Sequence, residues 1–104
     1  MDIDSAHSKN GVLIRLTEER WKHIVLMHPS LGEKQSQVLK TVKDPDYILR
    51  GTAGELLAVL ELSKERYLVV IYKELTYDGF IITAYETTDT SWLFKKELIW
   101  SKLS

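Results

Sequence analysis

The chain has no cysteine. Disulfides, thiolate catalysis and cysteine-based metal sites are therefore excluded, and the composition fits a reducing compartment. It also lacks any apolar run near the roughly 20 residues that a membrane-spanning helix needs. Met1 to Asn10 is polar and has no apolar centre of the kind a signal peptide carries. These absences imply a cytoplasmic protein with no membrane segment. Nor is there an excess of charge of one sign: 14 Lys and Arg stand against 15 Asp and Glu, the net charge is −1 and the pI is about 6.3. Domains with a strong electrostatic footprint for nucleic acid usually have a pI above about 9. Tight non-specific binding to DNA or RNA is not expected, although a local basic patch remains compatible with such a balance.

Several motifs are missing too. There is no Walker loop, no GxGxxG, no HExxH helix and no GxSxG elbow. What the chain does have is ordinary globular composition, with 44% hydrophobic and 28% charged residues among 104. That length suits one domain with a real core but modest stability. Residues 1–10 show no periodicity and read as a flexible tail, leaving 11–104 as a single domain.

Val12 to Leu16 is short and β-prone. Thr17 then offers a helix N-cap, with Glu18 and Glu19 in the first turn where the macrodipole favours them. This helix should run to about His28, where Pro29 stops it. A second helix is expected over Leu31 to Val42, because Leu31, Val38, Leu39 and Val42 share one side at helical spacing. Asp44-Pro45 ends it.

Beyond this point the period changes to two. Tyr47 to Arg50, Glu55 to Leu62, Arg66 to Leu75 and Phe80 to Tyr85 read as strands. The third of these is apolar on both faces and should be central. Asp78-Gly79 is the expected hairpin turn. The stretch Thr87 to Ser104 is open to two readings, a helix around Trp92 to Leu98 or an extended piece over Glu97 to Trp100. The expected architecture is α+β, with N-terminal helices packed on a roughly four-stranded antiparallel sheet.

The first helix carries the candidate chemistry. At 100° per residue, Ile24, Val25 and His28 fall within about 60° of Trp21 and form the buried face. Arg20, His23 and Met27 cluster on the other side. A solvated surface stripe, with His28 favoured by the dipole at the helix C-terminus, gives the same pattern. The functional reading is an anion site, in which Arg20 supplies forked donors and a histidine exchanges protons near neutral pH. Metal binding is not expected, since His23 and His28 point about 140° apart with no carboxylate at ligand spacing. On Phe80 to Tyr85, Thr83 and Tyr85 share a face. A two-residue Asp78-Gly79 turn would set Tyr72 opposite Tyr85 and Glu74 opposite Thr83, with Lys73 on the other face unless the register slips. The loop Arg50-Gly51-Thr52-Ala53-Gly54 combines a cation with two glycines. Such a loop can approach a phosphate, or be an ordinary turn.

The run Leu16-Thr17-Glu18-Glu19-Arg20-Trp21-Lys22-His23-Ile24, followed by His28-Pro29, resembles the opening helix of RelE-like small proteins. These belong to the barnase–EndoU–colicin E5/D–RelE-like nucleases, including phage-encoded ones. Asp44-Pro45-Asp46-Tyr47-Ile48, Gly79 to Tyr85 and Glu97-Leu98-Ile99-Trp100 resemble later motifs of the same family, in the same order. The resemblance implies metal-independent, cofactor-free RNA cleavage, often by a toxin with an antitoxin protein as partner. The ribose 2′-OH attacks the adjacent phosphate, which calls for an acid, a base and cations. It makes His23 and His28 acid/base candidates and Arg20 a phosphate clamp. Thr83 and Tyr85 would line the site. Apart from the resemblance, Arg50 and Lys73 are candidate substrate-binding cations. At the position before His28-Pro29, where such proteins often carry Arg, this chain has Met27. The alternative is a catalytically inactive member that binds protein or nucleic acid, with Trp92 and Trp100 marking an oligomer or partner interface in the C-terminal tail.

Overall fold

The structure is a computed structural model and describes residues 1–103. The strands are β1 (Asp2–His7), β2 (Leu13–Thr17), β3 (Tyr47–Arg50), β4 (Leu56–Ser63), β5 (Arg66–Glu74), β6 (Asp78–Thr87) and β7 (Leu98–Ser101). The helices are α1 (Glu18–Met27), α2 (Gln35–Lys43) and the short α3 (Thr90–Leu93), with a 3-10 turn at Pro29–Leu31. The strands form one seven-stranded sheet in the order β1-β2-β6-β5-β4-β3-β7. All neighbours are antiparallel except β2 and β6, which run parallel.

This corrects the expected four-stranded antiparallel sheet. The expected strands are present as the meander β3 to β6, but β1, β2 and β7 extend the sheet and β2 makes it mixed. Residues 2–7, expected in a flexible tail, are an edge strand. Asn10-Gly11 closes the β1–β2 hairpin, with Gly11 at φ 78° and its N–H donating to the Ser8 carbonyl at 2.9 Å. An Asn-Gly pair suits such a turn because both positions tolerate positive φ.

The Asp78-Gly79 turn is corrected as well. These residues open β6, and the connection is Leu75 to Tyr77, closed by Leu75 N–H to the Asp78 carbonyl at 2.7 Å. Gly79 faces Ile14 across the parallel pairing, where any Cβ would run into the Lys73 carbonyl and the Ile14 side chain. Glycine is there for close backbone approach rather than for a turn. An irregularity then follows: Ile71 pairs with Thr83, but Tyr72 pairs with Ile81. One extra β6 residue bulges out there. Because the turn falls earlier in the chain than Asp78-Gly79, and the bulge restores only one residue of that shift, Tyr85 lies opposite Val69, not Tyr72, and Glu74 lies opposite Gly79, not Thr83.

Helix α1 begins as its cap dictates, with Thr17 Oγ1 accepting the Arg20 N–H at 3.1 Å. It ends at Pro29 and buries Ile24 completely. The second expected helix is split into the 3-10 turn and α2, although Leu31, Val38, Leu39 and Val42 are all buried on its inner side. The ambiguous C-terminal stretch contains both α3 and β7.

The core has two parts, one on each face of the sheet. One packs Ile14, Leu16, Leu68, Val70, Tyr72 and Ile81 against α1 and α2. The other gathers Leu49, Leu57, Val59 and Val69 around Leu93 of α3. Phe94 seals it with edge-on contacts to Tyr47 and Tyr67, each at 5.3 Å between ring centroids. Strand β5 feeds both clusters, which explains its unbroken apolar sequence. The sheet curls around α2, which packs against β1 as well as β4 and β5. Lys9, in the β1–β2 turn, lies 5.1 Å from the Trp100 ring of β7 and 3.5 Å from Asp44. No helix is long and apolar enough to cross a membrane among the described residues.

Candidate functional site

Strand β2 pairs only with Asp78 to Phe80 of β6, so the later edge of β6 is left to α1, which packs against it. His28 caps the C-terminus of α1, its backbone N–H donating to the Ile24 carbonyl at 2.8 Å. The half-buried His28 ring then lies against that edge, 6.1 Å from the Tyr85 ring at 38° between planes. Tyr85 lies with the cluster around Leu93, and its hydroxyl is buried without a hydrogen-bond partner among the described residues. Burial pushes its pKa up, so the phenol stays protonated at neutral pH.

A cleft of about 530 Å³ opens at this point, lined among others by His28, Ser30, Arg66, Glu86 and Thr87. Glu86 is its hub. Its side chain is only 9% exposed, and it accepts from Lys34 Nζ at 2.9 Å, from Arg66 at 2.9 Å and from Ser30 Oγ at 3.3 Å. The hydrogen bond from Lys34, and then that from Arg66, hold its carboxyl below the ordinary value, against the opposing effect of burial. A guanidinium has five N–H donors, so Arg66 keeps donors beyond the one spent on Glu86. Lys34, Arg66 and Glu86 were not singled out from sequence. The register expected from sequence would set Glu86 opposite Ile71; the structure sets it opposite Leu68, which brings Arg66 near Glu86.

The other expected site residues are scattered. Arg20 and His23 are exposed on α1 and do not line this cleft. Met27 of the same stripe does line it, at the position where the resemblance leads one to look for a cation. Thr83 shares the Tyr85 face of β6, opposite Ile71. Arg50 is paired with Glu97 at 3.2 Å. It belongs to the row Arg50–Leu56–Tyr72–Ile81, whereas Tyr85 belongs to Tyr47–Val59–Val69–Tyr85. Three β5 residues separate these rows, roughly 10 Å along the strand. Lys73, opposite Phe80, lies further still from the cleft. The glycine loop that could have met a phosphate is filled by its own anion, the Glu55 carboxylate, which accepts the Ala53 N–H at 2.8 Å. No group of three or more His, Asp or Glu among the described residues is placed to hold a metal ion.

Comparison with protein-family models, with curated protein sequences and with solved structures finds no match to this chain. The cleft must therefore be read from its own chemistry.

Proposed function

We propose that the His28–Glu86 cleft cleaves RNA without a metal, as an endoribonuclease of toxin or phage-related type acting in the cytoplasm. The observation that carries this reading is an imidazole that lines the cleft beside Arg66 and Glu86 and whose ring lies next to a buried, unpartnered phenol. His28 takes the proton of the ribose 2′-OH as the 2′-oxygen attacks the adjacent phosphorus. The bond from phosphorus to the 5′-oxygen breaks, and solvent in the open cleft protonates the leaving oxygen. The products are a 2′,3′-cyclic phosphate and a 5′-hydroxyl end. Arg66 stabilises the charge that gathers on the phosphoryl oxygens. Tyr85 acts as a positioning residue: once His28 is an imidazolium with two N–H donors, the phenol oxygen offers an acceptor beside it.

The test is cleavage of a mixed-sequence RNA in the presence of a chelator. His28→Ala should lower the rate by about 100-fold or more, the usual worth of a positioned proton acceptor. His23→Ala, on the exposed side of α1, should lose far less. Equal activity of wild type and His28→Ala would sink the reading.

A second reading has its own observation. Trp92, Phe94, Leu98 and Ile99 are 39–54% exposed near the C-terminus. An apolar surface of that kind suits a protein partner, an antitoxin or a second copy, and supports a binding module instead of a catalyst. A stable dimer that persists on size-exclusion chromatography, together with absent RNA cleavage, would favour it.

A further inference from the structure

Residues 8–11, the turn between β1 and β2, fasten that hairpin to distant parts of the chain. Ser8 is buried; its Oγ donates to Glu74 Oε2 at the end of β5 and accepts the Val12 N–H at 3.3 Å. Asn10 Nδ2 donates to the other Glu74 oxygen, Oε1, at 2.8 Å. Lys9 between them reaches Asp44 at the end of α2, at 3.5 Å, and the Trp100 ring of β7. Asn10 is the only asparagine in the chain, it is exposed, and Gly11 follows it. That dipeptide has a chemistry of its own. The backbone nitrogen after an asparagine can attack the side-chain carbonyl carbon, and a β-carbon on the following residue hinders the approach. Gly11 has no β-carbon, and a Cβ placed there would meet no atom within 4 Å, so the nitrogen stands in open space. The attack costs two hydrogen bonds, Gly11 N–H to the Ser8 carbonyl at 2.9 Å and Asn10 to Glu74. Both residues are exposed, and a surface turn opens locally at low cost. Asp78-Gly79 could close the same ring, but it is held in β6, with Gly79 buried against Ile14 and the Lys73 carbonyl.

We infer that Asn10 is a site of spontaneous deamidation, and that this modification unfastens the β1–β2 hairpin from β5. The inference is independent of the cleavage reading. The Gly11 nitrogen bonds to Asn10 Cγ and the Cγ–Nδ2 bond breaks. The side-chain nitrogen leaves as ammonia, taking up the proton that Gly11 gives up. Water then opens the cyclic imide at either carbonyl, which leaves aspartate or isoaspartate at position 10. No electrons are exchanged, and water is the one co-reactant. Either product puts a carboxylate where Glu74 had a donor 2.8 Å away, so attraction gives way to repulsion between like charges. Isoaspartate also adds a carbon to the backbone of the turn, which disturbs the closing bond from Gly11 to Ser8.

The experiment ages the full chain in mildly alkaline buffer and reads its tryptic peptide 10–15 by mass spectrometry, beside a free peptide of residues 6–14 aged in the same way. The folded protein should gain, at Asn10, the mass change that replaces an amide by a carboxyl, with isoaspartate in part of the product. Asp78-Gly79 should stay unisomerised. Aged protein should bind an anion exchanger more tightly than fresh protein, since one negative charge is added to a net charge of −1. Asn10→Ser, which cannot form the imide, should keep its mass. Asn10→Asp reproduces one product and should melt about 4–8 °C below wild type, the effect of losing one hydrogen bond in a domain near this size. Glu74→Gln removes the repulsion, so it should cost less stability in the Asn10→Asp background than in wild type. An Asn10 that is intact when the free peptide has fully converted would overturn the modification. An Asn10→Asp variant as stable as wild type, or an equal cost of Glu74→Gln in both backgrounds, would overturn the unfastening.

Discussion

Replacing Tyr85 by Phe should make the protein more stable. The ring stays in place against His28 and the cluster around Leu93, and only the hydroxyl is lost. That hydroxyl is buried and has no hydrogen-bond partner among the described residues. A buried polar group left unpaired costs about 1–3 kcal/mol, and removing it recovers part of that cost. The small void left behind offsets a fraction. The net expectation is a gain of about 1 kcal/mol. For a domain near this size, that raises the melting temperature by about 4–8 °C. Urea unfolding with an unchanged m-value is the cleaner measurement, because the change is then in stability and not in the unfolded state. The proposed cleavage should fall in the same variant, since the acceptor beside His28 is gone, but by less than in His28→Ala. A loss of about 1 kcal/mol or more would refute the reasoning, because it would mean that the hydroxyl is tied to a partner in the folded protein.

Two further predictions concern the cleft and the far side of the sheet. Glu86→Gln should cost about 1 kcal/mol at neutral pH, a figure kept low because Lys34 and Arg66 are both more than a third exposed. The folded carboxyl lies below its ordinary value of 4.5, so its contribution is present above that value and lost as pH falls through the folded value. Thermal unfolding at about pH 7 and about pH 3 should show the gap between wild type and variant closing in acid; a gap undiminished in acid contradicts the ion-pair account. Leu93→Ala should cost about 3 kcal/mol by chemical denaturation, because Leu93 is fully buried and pins α3 to the sheet. A loss below about 1 kcal/mol would mean that α3 does not seal that face.

Local signals carried over well from sequence to structure. Thr17, Glu18 and Glu19 at one end and Pro29 at the other bound α1 within a residue of expectation. The period of two located β3 to β6, and the two-sided apolar run placed β5 between neighbours. Long-range pairings did not carry over. The parallel contact of β2 with β6 joins segments more than 60 residues apart in the chain, which no local period encodes. Strand β1 escaped because all but Ala6 of its residues are exposed, so it has no alternating apolar face. The turn lies at Leu75 to Tyr77 instead of Asp78-Gly79, and the bulge that follows offsets only part of that shift, so every cross-strand partner of Tyr85 and Thr83 changed. The cleft suffered in the same way. His28 and Tyr85 were visible as residue types, but Arg66, Glu86 and Lys34 are ordinary surface charges until the β5–β6 register and the start of α2 bring them together.

The central claim is that His28 is the proton acceptor of a metal-independent cleavage. The most direct measurement is end-group analysis of RNA incubated with wild-type protein and with His28→Ala, both in excess chelator. The account predicts 2′,3′-cyclic phosphate and 5′-hydroxyl ends with wild type, and almost none with His28→Ala. Intact RNA with both proteins, or the same ends at the same rate from both, would contradict it.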